Sequence, residues 1–156
     1  MRRAYQVLAW LVAGLVAVQA AAVAFFGSGE SKYIDGGGVI DRAMVESVQS
    51  GGELPFPEVI GAPIHGLNGG IVIPVVALVL LGVSFGTRLP GARKWAGIVL
   101  GLVAVQVTLG YSQGGLPVLG LLHGANALLL FAAASHAGRM AGRRASVVPS
   151  DVAAPA

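Results

Sequence analysis

PVLGLLHGANALLLFAAASHAGRM, residues 117–140, is an apolar run of membrane-crossing length with His123 and Asn126 inside it. A hydrocarbon layer about 30 Å thick takes about 20 residues of helix. An ionisable ring kept inside such a helix normally faces the interior of a bundle and marks a site. The partner for that ring is offered by IHGLNGG, residues 64–70, which repeats the His-Gly-x-Asn order of LHGANAL, residues 122–128, and supplies His65 and Asn68.

Two more stretches share this character, so the hydropathy pattern predicts four membrane helices at about 5–26, 64–85, 95–112 and 117–136. Composition agrees. Of 156 residues 55% are hydrophobic and 11% charged, with a mean hydropathy of +0.78, outside the range of soluble domains. The chain therefore reads as an all-α membrane protein, a four-transmembrane-helix bundle in one domain over residues 1–140. An outer loop at 27–63 and a polar tail at 141–156, expected to be disordered, complete it.

The charges are sorted by position. Arg2, Arg3, Arg88, Arg93, Lys94, Arg139, Arg143 and Arg144 flank the helix ends opposite the loop, whereas Lys32 and Arg42 share the loop with six of the seven acids. This is the positive-inside pattern of a multi-pass protein in a bacterial plasma membrane with both termini cytoplasmic. It also excludes nucleic acid as the reason for the net charge of +3. The absence of cysteine excludes disulfides, thiolate-held iron–sulfur clusters and a haem attached through C-x-x-C-H. Asp and Glu are missing from all four apolar segments, which argues against an ion-coupled transporter or a proton relay.

The basic start and apolar run of MRRAYQVLAWLVAGLVAVQAAAVAFF resemble a secretory signal, but the run exceeds the roughly 7–15 residues of a signal core. Its hexapeptide GLVAVQ, residues 14–19, recurs at 101–106 in the third helix. The first segment is therefore read as a retained helix. The two echoes together define an internal repeat of two helical hairpins, each with VAVQ in its first helix and HGxN in its second. The repeat axis then runs along the membrane normal. His65 and His123 fall near the outer ends of their helices, with Gln19 and Gln106 in the outer parts of the other two.

Within the loop, VIDRAMVESVQS, residues 39–50, places Val39, Ile40, Ala43, Met44, Ser47 and Val48 on one helical face. This short amphipathic helix is either a lid over a site between the helix ends or an interfacial anchor. Pro74 is expected to bend the second helix just below His65.

Two neutral imidazoles brought to one depth of a four-helix bundle, with apolar walls and small residues beside them, form the arrangement that binds a b-type haem. Metal–imidazole bonds of about 2 Å would set their nitrogens about 4 Å apart. Gly66, Gly69, Gly70, Gly120, Gly124 and Ala127 supply the small residues, and Gln19, Gln106, Asn68 and Asn126 are candidates to hold the second ring nitrogens. In the competing reading the four amides merely bridge helices and the histidines pair with them, leaving no slot. The chain is then a cofactor-free structural or accessory subunit of a larger membrane complex. His136 lies 13 residues after His123 and, at about 100° per residue, on a different face. It reads as an interfacial residue near Arg139.

QVTLGYSQGGLPVLGLLHGANALLLF, residues 106–131, resembles the third-to-fourth-helix portion of one half of heme A synthase, with its Q-x-x-LG turn, LP and H-x-x-x-A helix. The span from YQVLAW through the HGANALLLF helix is similar to small bacterial four-helix membrane proteins that look like such a half standing alone. The resemblance implies histidines at the outer ends of the second and fourth helices, matched by His65 and His123. The leading reading is a haem-handling or electron-transfer role, with the lipid bilayer as surroundings and a respiratory-chain membrane complex or a quinone as candidate partner. The family's acid implicated in oxidising a haem methyl group has its nearest counterpart in Glu58, seven residues before His65, and the cysteine pair of many members is absent. What carries over is the haem-holding architecture without the oxygenase chemistry.

Overall fold

The computed structural model describes residues 1–112, 114 and 116–143. Among them there are helices and connecting segments and no strand: α1 (Arg2–Asp35), α2 (Arg42–Gln49), α3 (Pro57–Phe85), α4 (Ala92–Ser112) and α5 (Pro117–Arg143). All but α2 are long and apolar enough to cross a membrane. The tail expected from 141 is helical as far as Arg143, and residues 144–156 lie outside the described part.

The helices outrun their hydropathy. The polar end of α1 stays helical past Phe26, with Ser28 and Ser31 donating to Ala24 O (2.8 Å) and Gly27 O (2.9 Å). The returning chain grips this extension. Phe56 packs on Phe26 and Tyr33 at ring-centre distances of 6.1 and 5.3 Å, while Glu58 lies against the missing side chain of Gly29 and Gly61 against the Ala22 carbonyl. The expected loop at 27–63 is thereby shortened to 36–56. Gly37, at φ 89°, turns the chain out of α1.

Helix α2 is capped by Asp41, whose Oδ1 accepts from Met44 N at 2.8 Å, and stapled by Arg42 and Glu46 at 2.7 Å. It buries no residue and has no substantial packing against the long helices.

Helix α3 is composite: a 3-10 turn (Pro57–Ile60), an α segment (Gly61–Leu67), a π segment (Asn68–Val72) and a final α segment (Ile73–Phe85). The bend expected at Pro74 is thus a widened turn just before it, where the proline's lack of N–H leaves the local ladder one donor short.

The long helices form a ring in which α1 packs on α3 and α5, and α4 packs on α3 and α5. This leaves α1 diagonal to α4, and α3 diagonal to α5. One end is drawn tight. Arg2 Nε donates to Ala141 O at 2.9 Å and the buried Tyr5 hydroxyl crosses the bundle to Ala92 O at 3.1 Å, while the Trp10 indole covers Gly138. Arg93 sits 5.1 Å over the Phe85 ring at the same end. Many of the buried residues are small and many large ones face outward: Ala9, Ala96, Ala134 and Ala137 are inside beside a few large side chains such as Tyr5, Leu80 and Leu130, whereas Leu121 and Leu128 are more than 70% exposed. Such an interior suits helices whose outer surface is solvated by lipid and whose association rests on close packing.

The buried positions recur at fixed spacings. Tyr5, Ala9, Val12 and Val16 of α1 are matched 87 residues later by Ala92, Ala96, Val99 and Val103 of α4. Ile73, Ala77, Leu80 and Ser84 of α3 are matched 57 residues later by Leu130, Ala134, Ala137 and Ala141 of α5. Asn68 and Asn126, both buried, are 58 apart. The spacing between α3 and α5 therefore changes by one residue across the π segment, where a wide turn holds one residue more than an α turn.

Candidate functional site: a histidine pair between two amide clusters

Above the packed core the helices separate, and His65 and His123 enter this space from the diagonal helices α3 and α5. Each is held by a cluster of the same design. In the first, Asn68 Nδ2 donates to Leu15 O (3.1 Å) and Gln19 Oε1 (3.2 Å), and His65 Nδ1 lies 3.4 Å from Gln19 O. In the second, Asn126 Nδ2 donates to Leu102 O (2.9 Å) and Gln106 Oε1 (2.6 Å), and His123 Nδ1 lies 3.1 Å from Gln106 O. The carbonyls Leu15 O and Leu102 O are the second residues of the two GLVAVQ copies, and Gln19 and Gln106 the last. The repeated motif is thus an asparagine bracket that pins a glutamine, with its helix, beside a histidine.

A nitrogen facing a carbonyl in a neutral imidazole is the protonated one, so Nδ1 is the donor in both rings and Nε2 carries the lone pair. Of the four residues expected to hold the second ring nitrogens, Gln19 and Gln106 face them, through their backbone carbonyls, while their side-chain amides bind the asparagines. A helical carbonyl has a second lone pair to offer beyond its helix bond, and each glutamine oxygen accepts from Asn68 or Asn126.

The rings stand 6.1 Å apart, centre to centre, with 54° between their planes, and no hydrogen bond joins them. Two metal–nitrogen bonds of about 2.0–2.1 Å, with about 1.1 Å from each nitrogen to its ring centre, add up to roughly 6 Å. No group of three or more His, Cys, Asp or Glu side chains that could hold a metal ion occurs among the described residues. A bare ion would thus have two protein ligands.

Two cavities meet at the rings. One of about 730 Å³ runs between α1 and α5 and is lined by aliphatic residues with Gly120, Gly124 and Ala127. The other, about 290 Å³, lies between α3 and α4 and is lined by Gly66, Gly70, Gly110 and Tyr111. Both share Gln19, His65, Gly69, Gln106, Val107 and His123. Their volumes are those of small-molecule and cofactor sites or somewhat smaller, and a flat ligand standing between the rings would extend into both. No residue of 27–63 lines either cavity, so the loop does not close over this space as a lid does.

His136 lies apart, stacked on Trp95 with ring centres 4.0 Å from each other. Tyr111 and Val107 were not singled out as site residues by sequence. Tyr111 reads as an interfacial ring, and only the position of Gly70 opposite its hydroxyl reveals that it reaches across to α3. No family model, curated protein or solved structure matches the chain.

Proposed function

We propose that this chain binds one b-type haem between His65 and His123, in a haem-handling or electron-transfer role at the outer face of a bacterial plasma membrane. The observation that carries the reading is the ring spacing of 6.1 Å with both Nδ1 atoms turned onto helix carbonyls. That orientation supports two Nε2 lone pairs facing a common ligand. The residues fit the group: His65 and His123 would hold it through their imidazoles, and the cavities on both sides would take its flat, largely apolar body. When bound, such a haem supplies reversible one-electron chemistry. The chain's part is to hold both rings in one tautomer, keep the small residues clear of the macrocycle and wall it from lipid.

The matched clusters and the recurring buried positions support a duplicated hairpin, and the basic residues at the opposite end support cytoplasmic termini. Both agree with the resemblance to one half of heme A synthase. A partner in a respiratory membrane complex, or a quinone, belongs to the same reading. A second reading, a cofactor-free accessory subunit, is favoured by one observation: in both clusters the asparagine, glutamine and histidine already bond one another or helix carbonyls.

A reduced-minus-oxidised optical spectrum of the detergent-purified protein separates the two. The haem reading expects a b-type spectrum in the wild type that is lost in both His65→Ala and His123→Ala. A colourless wild type from haem-replete cells leaves the accessory-subunit reading.

A further inference from the structure

The two cavities at the histidine pair differ in chemistry, and the difference orients whatever lies between the rings. The larger is walled by aliphatic and aromatic side chains such as Val23, Leu128 and Phe131, and reaches down to Ile73 and Val103 of the core. The smaller adds to the Gln106 amide that both share a polar group the larger lacks, the Tyr111 phenol, and neither side chain's donor is committed. Gln19 donates its Nε2 to His65 O at 3.0 Å, but the Nε2 of Gln106 makes no hydrogen bond to a described residue, and neither does the Tyr111 hydroxyl. The Tyr111 phenol reaches from α4 across Gly70 of α3, where a Cβ would come within 2.9 Å of its oxygen. Tyr111 is also 79% exposed, one residue before α4 ends at Ser112, so this cavity sits at the boundary of the bundle.

We infer that the smaller cavity is the carboxylate end of the ligand site, with Tyr111 and Gln106 donating to the propionates of the haem while its apolar edge fills the cavity between α1 and α5. The inference rests on the proposed reading of the histidine pair. An ionised carboxylate is strongly disfavoured in an apolar cavity and is favoured where it accepts hydrogen bonds and keeps contact with water. No Asp or Glu lines the smaller cavity to repel it. What sets the smaller cavity apart is thus the Tyr111 phenol, beside a Gln106 amide that does not bond the carbonyl of its histidine as Gln19 does.

The test titrates the whole protein in detergent with iron protoporphyrin IX and with its dimethyl ester, following the Soret band. The readout is the affinity ratio of diacid to diester in wild type, Tyr111→Phe and Gly70→Ala. Tyr111→Phe is expected to lower the ratio about tenfold, the usual size of a hydrogen bond to a charged group. Gly70→Ala, which displaces the phenol without removing it, is expected to lower the ratio in the same direction. A Soret band in all three proteins with an unchanged ratio overturns the orientation and leaves the histidine reading intact. No Soret band with either porphyrin in the wild type overturns both.

Discussion

The two histidine clusters use the same residues at the same registers, yet the helices beneath them differ. His123 and Asn126 stand on an α5 that is regular from Pro117 to Arg143, whereas His65 and Asn68 stand on an α3 that opens into a π segment at Asn68–Val72. Below that segment the buried stripe of α3 is displaced by one residue relative to α5, so that Ile73 answers to Leu130 while Asn68 answers to Asn126. One additional residue in an α helix rotates everything above it by about 100°. In α3 the wide turn absorbs the residue, and the asparagine bracket and histidine keep facing α1. The site's geometry has been kept at the expense of helix regularity.

The strongest way to break this equivalence is to shorten each helix by one lipid-facing residue. Ile71, in the π segment, and Leu129, at the comparable depth of α5, are both exposed and neither lines a cavity. Deleting Ile71 should convert the wide turn to an α turn and leave the clusters in register, so that the haem binding of the proposed reading is retained. Deleting Leu129 has no such reserve. It should rotate His123 and Asn126 by about 100° away from α4, abolish the Soret band and lower the thermal midpoint sharply. Equal damage from the two deletions would sink the account of α3 as a helix with one residue inserted.

A smaller effect distinguishes the brackets themselves. Asn126 is buried and its Nδ2 serves two acceptors, so Asn126→Leu strands Gln106 Oε1, leaves Leu102 O with its helix bond alone, and should cost about 1–3 kcal/mol. Asn68→Leu removes the matching pair of bonds, but it also removes Oδ1, a buried atom with no partner, and Gln19 remains tied to His65 O. The Asn68 variant should therefore lose less stability than the Asn126 variant. Denaturation midpoints of the two variants, measured in one detergent, check the order.

The four membrane segments, both histidines and all four amides were legible because polar residues are rare in lipid-spanning helices and stand out against them. The repeated GLVAVQ and HGxN strings carried the pairing. Which faces turn inward was not legible: Ala9, Ala96 and Ala137 form the core while Leu128 and Leu129 face out, and a segment apolar on every side has no hydropathy period to read. The helix ends were missed for the opposite reason. Residues 27–35 are polar, and their helicity comes from Phe56 and Glu58, which lie far along the chain. The π segment leaves no compositional mark beyond Pro74 and its glycines, and only the change of spacing from 58 to 57 residues exposes it.

Pro74 offers the finest test, because it could be taken as the cause of the wide turn. Its ring removes one backbone donor and in a regular helix would cost about 3 kcal/mol or more. It is the second residue of the α segment that follows the π segment. If the extra residue is the cause, the wide turn persists in Pro74→Ala: closing it would rotate His65 and Asn68 off Gln19 and break the bonds to Leu15 O and Gln19 Oε1. The variant should then show the same Soret band that the proposed reading expects of the wild type and gain no more than about 1 kcal/mol from the restored donor. If the proline is the cause, Pro74→Ala should reset the helix and lose the Soret band as His65→Ala does. The contrast with the Ile71 deletion is decisive, since removing a residue and restoring a donor both favour an α turn, but only the deletion keeps both clusters in register when that turn forms.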